Sequence, residues 1–336
     1  MTDIRLTEVP PADWDEGLPF PTLSTAFAHA CRTMGQRPLY ATDGIGRALV
    51  LTRCLPVPLL RRWTTRAKVY VDAAHPDFTK MLVRALRARG VSYAKFGDAV
   101  WGLPQTAGSC EGMGATVTHL MTFDVSLPDT DLLARMEPKT RAHIRKSERE
   151  GVVVEEVGDE AGVERFCDLS DETSERMRAR DITSAVPRGF FHSVFRDMVP
   201  RKEAMFLLAT ADGQPLAGGL FLMSRDRMSY YLGASTRDRA VTWKHGPSAL
   251  FWLAMRYARD HAIGAFDLGA VTPSDDPVHP NHSVYQFKRG FGGRVVELRG
   301  GAIPLSPLKC RFQDRVVLPV WKKLYPLYLS ATATLA

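Results

Sequence analysis

The runs Ala204-Met205-Phe206-Leu207-Leu208-Ala209, Pro215-Leu216-Ala217-Gly218-Gly219-Leu220-Phe221-Leu222-Met223 and Met228-Ser229-Tyr230-Tyr231-Leu232-Gly233 are separated only by the turn dipeptides Asp212-Gly213 and Arg225-Asp226. Apolar runs joined so tightly can pair only with their neighbours, which predicts an antiparallel meander. Beyond it, residues 247–261 carry a long helical pattern, residues 265–268 a strand and residues 283–289 a short helix. Before it come a strand at 118–125, one helix at 132–150, a strand at 152–157 and helices at 163–178 and 190–198.

The first third has the same rhythm. Thr22 or Ser24 caps a helix that stops at Gly35, strands follow at 39–42, 48–54 and 68–71, and a helix at 77–89 with stripe Phe78, Met81, Leu82 and Leu86 ends at Gly90. A strand at 91–96 and a Gly/Pro-rich stretch at 102–114 close this part. The duplication is one of pattern, without a tandem sequence repeat. A chain of 336 residues exceeds what one core usually serves, so the expectation is α/β with mixed sheets flanked by helices, in domains 1–115 and 116–305 with a helical tail at 306–336.

Composition excludes several classes. Hydrophobic residues at 45% and charged residues at 24% are globular values, and a formal charge of +7 favours an anionic partner. The cysteines Cys31, Cys54, Cys110, Cys167 and Cys310 lie far apart with no Cys-x-x-Cys pair, so neither a zinc site nor a disulfide framework is expected. His279 and His282 have ligand-like spacing in a loop but no evident third ligand, and no metal is expected there. With no apolar signal core and no spanning run, the chain is expected in the cytoplasm, the inner membrane face being the alternative.

Two segments concentrate the chemistry. Ser283-Val284-Tyr285-Gln286-Phe287-Lys288-Arg289-Gly290-Phe291-Gly292-Gly293 sets a cation pair among aromatic rings and glycines, which suits gripping an acyl carbonyl or a phosphate. Lys139-Thr140-Arg141-Ala142-His143-Ile144-Arg145-Lys146-Ser147-Glu148-Arg149-Glu150-Gly151 is a basic helix whose Arg141 and Arg145 share a face, with Lys146 pointing away. Its alternative is a solvated face neutralised by the nearby glutamates. No Gly-x-Ser-x-Gly elbow or activated cysteine is signalled, so direct attack by an acceptor amine is the economical mechanism.

Those segments, with Glu172-Thr173-Ser174-Glu175-Arg176, Pro215 to Gly219, Tyr230 to Ser235 and Phe266-Asp267-Leu268-Gly269 in this order, resemble the Fem family of peptidyltransferases. The resemblance covers about half the chain. It implies two acetyltransferase-like (GNAT) domains, here without the long coiled-coil arm, and transfer of an amino acid from aminoacyl-tRNA to the side-chain amine of a peptidoglycan precursor stem peptide. The implied partners are aminoacyl-tRNA as donor and a lipid-linked or nucleotide-linked muropeptide as acceptor. The tail, aromatic, aliphatic and basic through Lys322 and Lys323, suits peripheral membrane contact, packing onto the second domain being its alternative.

Within the resemblance, Lys288 is expected to stabilise the oxyanion or position the ester. Substrate contacts are expected from Lys139, Arg141, Arg145, Arg176, Tyr231, Ser235, Tyr285, Phe287 and Arg289, and Asp98 is the candidate for receiving the amine's proton or fixing the ammonium. No cofactor is expected. CoA-dependent acetyltransferases present Arg/Gln-x-x-Gly-x-Gly/Ala to a pyrophosphate before the long helix, whereas Trp243-Lys244-His245-Gly246-Pro247-Ser248 lacks the Arg or Gln. The rival readings are aminoacylation of a small metabolite, a non-catalytic tRNA- or envelope-binding protein and, disfavoured by that loop, an acyl-CoA transferase.

Overall fold

The computed structural model describes residues 4–55, 57, 60–72, 75–97, 114–115, 118–178, 186–298, 300–317 and 319–320. The first sheet comprises β1 (Arg5–Thr7), β2 (Arg37–Thr42), β3 (Arg47–Arg53), β4 (Arg66–Asp72), β5 (Tyr93–Phe96) and β6 (Gly114–Ala115), with β14 (Gly301–Pro304) between the last two. The second sheet takes β7 (Thr118–Asp124), β8 (Val153–Glu156), β9 (Ala204–Ala211), β10 (Gln214–Met223), β11 (Arg227–Ser235), β12 (Ala265–Val271) and β13 (Arg294–Leu298), in the order β13-β7-β12-β11-β10-β9-β8. The expected meander is β9-β10-β11, antiparallel throughout. Among the described residues, each sheet has a single parallel step, β4 beside β5 and β11 beside β12. Each step is bridged by a helix, α3 (Phe78–Ala88) in the first and α9 (Gly246–Asp260) in the second. The pattern duplication of the sequence is therefore a duplication of topology.

The strand at 301–304, counted with the second half in the sequence, pairs with β5 and β6 in the first sheet. Four residues carry too little pattern to say which sheet they join. The remaining helices are α1 (Thr25–Thr33), α2 (Arg61–Thr64), α4 (Asp129–Arg135), α5 (Pro138–Arg149), α6 (Glu160–Arg178), α7 (Arg188–Met198), α8 (Arg239–Thr242), α10 (His282–Arg289) and α11 (Pro307–Phe312).

Three cores order these elements into layers. Phe78, Leu82 and Leu86 of α3 pack with Val50, Val69 and Val71 on the outer face of the first sheet. The middle core joins both halves: Phe27 of α1 with Tyr40 and Tyr70 of the first sheet, Phe166 of α6, Phe190 and Phe191 of α7, and Phe206 and Leu208 of the second sheet. Phe27 meets Tyr70, Phe190 and Tyr231 edge-on at 5.6, 6.5 and 6.1 Å, so one ring ties the two sheets together. The outer face of the second sheet is covered by α9, α5 and Phe291, which follows α10.

The single helix expected at 132–150 is two. Pro138 lacks an N–H and forces the preceding residues out of the helical region, and Met136 and Glu137 are extended with ψ of 151° and 147°. The resulting α4–α5 elbow carries Leu132, Met136 and Ile144 into the outer core and forms the seat for α10.

Candidate active site

β11 and β12 pair in parallel for only three residues, Arg227 with Ala265, Met228 with Phe266 and Ser229 with Asp267. Beyond Ser229 they part, because β11 continues on β10 while β12 continues on β7. A register shift between Asp267 and Gly269 makes the divergence, and the Asp267 carboxylate accepts the Gly269 N–H across it at 2.7 Å. Gly269 sits at φ +82°, and a Cβ there would lie 2.8 Å from Tyr230 O and 3.4 Å from Lys288 Nζ. Only glycine leaves room for the lysine at the mouth of the fork.

Lys288 reaches the fork from α10. It is 7% exposed, its Nζ donates to Ala270 O at 2.9 Å, and it lies 5.7 Å from the centroid of the Tyr230 ring. Burial pushes its pKa down from 10.5 to about 8, and the Asp267 carboxylate pulls part of the way back. An ammonium has three N–H donors. Among the described residues, Ala270 O is its one acceptor, which leaves two directed donors for a substrate oxygen.

Phe287 and Phe291 hold α10 in place. The Phe287 ring packs edge-on to Phe251 of α9 at 5.6 Å and to Phe291 at 5.3 Å, while Phe291 is fully buried. The glycines after Lys288, expected to admit a substrate, instead admit the α4–α5 elbow. A Cβ on Gly290 would lie 2.3 Å from Thr140 Oγ1, and one on Gly292, at φ +75°, 2.2 Å from Arg135 O. Glu137 N donates to Gly290 O at 2.8 Å and fixes the contact. Arg289 lies on the surface between Glu137 at 3.3 Å and Asp275 at 3.5 Å, with Tyr285 beneath its guanidinium at 5.9 Å. Lys288, Tyr285, Phe287 and Arg289 therefore belong to one small helix, from which Phe287 packs into the outer core and Lys288 reaches the fork.

Among the described residues, the other expected ones do not join them. Tyr231 points from β11 into the middle core, 6.4 Å from Phe190, on the face opposite Tyr230. Arg176 is a strand clamp: its Nη1 donates to Ser235 O at 2.6 Å and to Glu172 at 3.2 Å, and its Nη2 to Thr173 Oγ1 at 3.1 Å. Glu172 also accepts from Arg237 N at 3.0 Å, so this segment of α6 holds the end of β11. Arg141 donates to the carbonyls of Leu133 and Met136 at 3.3 and 2.5 Å and so closes the C-terminal end of α4. Arg145 and Lys139 are exposed, and Arg145 shares an open depression with Arg141, Thr130, Leu133 and Ala134. Asp98 lies outside the described residues.

The sequence reading missed Tyr230. Its hydroxyl fills the space a Cβ on Gly233 would take, at 1.3 Å, and burial lifts its pKa to about 12, so the phenol stays neutral beside the ammonium. The signal was present in Tyr230-Tyr231-Leu232-Gly233, but which tyrosine faces the fork depends on pairing. Also unforeseen is the entrance of α9, where His245, at φ +58°, stacks on His143 of α5 at 3.8 Å and Lys146 lies over the Trp243 ring at 4.9 Å. Burial, then His143, Lys146 and Lys139, lowers the His245 pKa to about 4, so that imidazole is uncharged at neutral pH.

Residues 135–289 match the family model described as an acetyltransferase (GNAT) domain. The chain is 27% identical over 95 residues to the aminoacyltransferase FemB of Staphylococcus epidermidis, which is 28% of this chain and about a fifth, 22%, of that relative. Its fold is similar to a crystal structure of FemX, with a TM-score of 0.63 at 15% identity over 87% of this chain and 93% of that one. It is also similar to the C-terminal domain of a putative lysylphosphatidylglycerol synthetase from Agrobacterium fabrum, with a TM-score of 0.56 at 16% identity over 86% and 92% of the two chains. The chain has the acetyltransferase (GNAT) fold, an acyltransferase architecture, with a sequence likeness to the aminoacyltransferase FemB over part of its length.

Proposed function

We propose that this Fem-like chain is an aminoacyltransferase that takes an activated amino acid from aminoacyl-tRNA and joins it to the side-chain amine of a muropeptide precursor, with Lys288 at the reaction centre. The observation that carries the proposal is the buried ammonium at the point where β11 and β12 separate. An ester carbonyl laid in that fork would meet the two remaining N–H donors of Lys288 as negative charge develops on its oxygen. The acceptor amine attacks the carbonyl carbon, the C–N bond forms, the C–O bond to the terminal ribose breaks, and the amine's proton passes to the departing ribose oxygen. With its pKa near 8, Lys288 is mostly protonated at neutral pH yet within reach of exchanging that proton.

The α9 entrance supports a donor other than CoA. Position 246 is packed against Leu216, whose Cβ would be 2.5 Å from an added Cβ, and the imidazoles above it add no positive charge at neutral pH. Arg176, Tyr231 and Arg141 support the reaction through the scaffold: they hold β11, the middle core and the α4–α5 elbow. Arg145 and Lys139, exposed on α5, are the candidates for phosphate contact.

The test is incubation of the chain with a pool of charged tRNAs and with nucleotide-linked or lipid-linked muropeptide, followed by product mass. Addition of one aminoacyl residue to the muropeptide is expected, with acetyl-CoA giving none. A second reading, favoured by the likeness to a lysylphosphatidylglycerol synthetase domain, replaces the amine by a lipid hydroxyl. Mass addition to phosphatidylglycerol alone would select it.

A further inference from the structure

Residues 53–66 and 306–320 together hold seven Lys and Arg against a single acid, Asp314, a net of +6 out of the chain's +7 that leaves thirty-seven cations against thirty-six acids elsewhere. The fold brings these distant stretches together at α2 and α11. Arg66 donates to Gln313 at 2.7 Å and pairs with Asp314 at 3.0 Å, and the Phe312 ring lies edge-on to Trp63 at 5.5 Å. The two segments that carry this excess thus meet at α2 and α11, where Arg61, Arg311 and Arg315 are exposed.

That face is also apolar. Leu308, Phe312 and Val316 recur every fourth residue along α11 and the π-type turn Gln313–Val317 that extends it, and Val320 follows three residues past its end. Leu308 is 70% exposed, Val316 47% and Val320 51%, and Trp63, which packs on Phe312, is also open. Isolated exposed aliphatics are ordinary, but a row of them edged by the exposed Arg61, Arg311 and Arg315 is a surface built for contact.

We propose that this face docks peripherally on an anionic lipid bilayer, with the arginines against the headgroups and the aliphatic row in the interface. The chemistry favours lipid over nucleic acid. A phosphate backbone would satisfy the arginines but offers nothing to Leu308, Val316 and Val320, whereas a bilayer offers both. Docking of this face is independent of the transfer chemistry assigned to Lys288.

Co-sedimentation of the full chain with vesicles of phosphatidylcholine, alone or with phosphatidylserine or phosphatidylglycerol, tests it. Binding is expected with either anionic lipid and not with phosphatidylcholine alone. The substitution sets Arg311→Glu/Arg315→Glu and Leu308→Ser/Val316→Ser/Val320→Ser should each weaken it about tenfold or more. Thermal melts should not move, since every substituted side chain is exposed, and transfer to a soluble nucleotide-linked acceptor should be unchanged. No binding to anionic vesicles, or binding indifferent to the serine set, would overturn the proposal. So would a loss of charged-tRNA binding in the arginine variant with vesicle binding intact. None of these results bears on whether Lys288 serves transfer.

Discussion

Replacing Lys288 with methionine should stabilise the protein while removing its activity. The side chain is almost fully enclosed, and holding its pKa near 8 instead of 10.5 means that the ammonium is disfavoured in the fold. At 1.36 kcal/mol per unit of pKa, the penalty at neutral pH is about 3 kcal/mol. Methionine has similar volume and needs no partner, so the substitution removes the penalty. It also loses the hydrogen bond to Ala270 O, worth about 1 kcal/mol, for a net gain of about 2 kcal/mol at pH 7. The pH dependence has a definite sign. The folded-state pKa lies below the unfolded value, so between about pH 8 and 10.5 the unfolded chain binds more protons and the lysine's penalty fades as pH rises. Urea unfolding of parent and Lys288→Met at pH 7 and pH 10 measures it. The variant should be ahead at pH 7, with the gap mostly closed by pH 10. A variant less stable than the parent at pH 7, or a gap that ignores pH, would refute the buried-ammonium reasoning.

Transfer rate should fall on the alkaline side near pH 8 as Lys288 loses its proton, a limb read from a pH–rate profile of the parent. Gly292→Ala, forced against Arg135 O at positive φ, should cost about 2 kcal/mol or more in unfolding and lower turnover by shifting α10, whereas the same change at exposed Gly213, also at positive φ but with open space around its Cβ, should cost stability and leave turnover unchanged. Arg176→Ala should lower the melting temperature by loosening Ser235 while leaving the salt dependence of tRNA binding unmoved. Arg145→Glu, on an exposed side chain, should instead weaken binding and flatten that salt dependence in filter-binding titrations.

The fold was legible where local pattern decides it. The meander announces itself because two-residue turns leave no other partners, and the helix ends at Gly35 and Gly90 lie where positive φ is needed. Lys288 was singled out by its setting between Phe287 on α10 and Phe291 after it, but whether it is buried with them or faces away is decided only by the fold. What sequence could not supply was register. Whether Tyr230 or Tyr231 faces the fork, and where β11 leaves β12, follows from the irregularities at Leu220/Phe221 and Asp267/Gly269, which are set by neighbouring strands. The helix break at Pro138 was written in the sequence but hidden under a continuous basic pattern. The scaffold contacts of Arg141 and Arg176 were not legible, because a guanidinium that closes a helix end or clamps a strand reads the same as one that binds substrate. The excess charge on α2 and α11 was invisible for a similar reason, since its two halves meet only in the folded chain.

The most direct test is a single-turnover assay with labelled aminoacyl-tRNA and muropeptide, comparing the parent with Lys288→Met at saturating donor. The expected result is acceptor-dependent transfer by the parent and a loss of about a hundredfold or more in the variant, with donor binding nearly unchanged, as for removal of an oxyanion contact made mainly in the transition state. Equal rates from the two folded proteins, or transfer from acetyl-CoA in place of the charged tRNA, would contradict it.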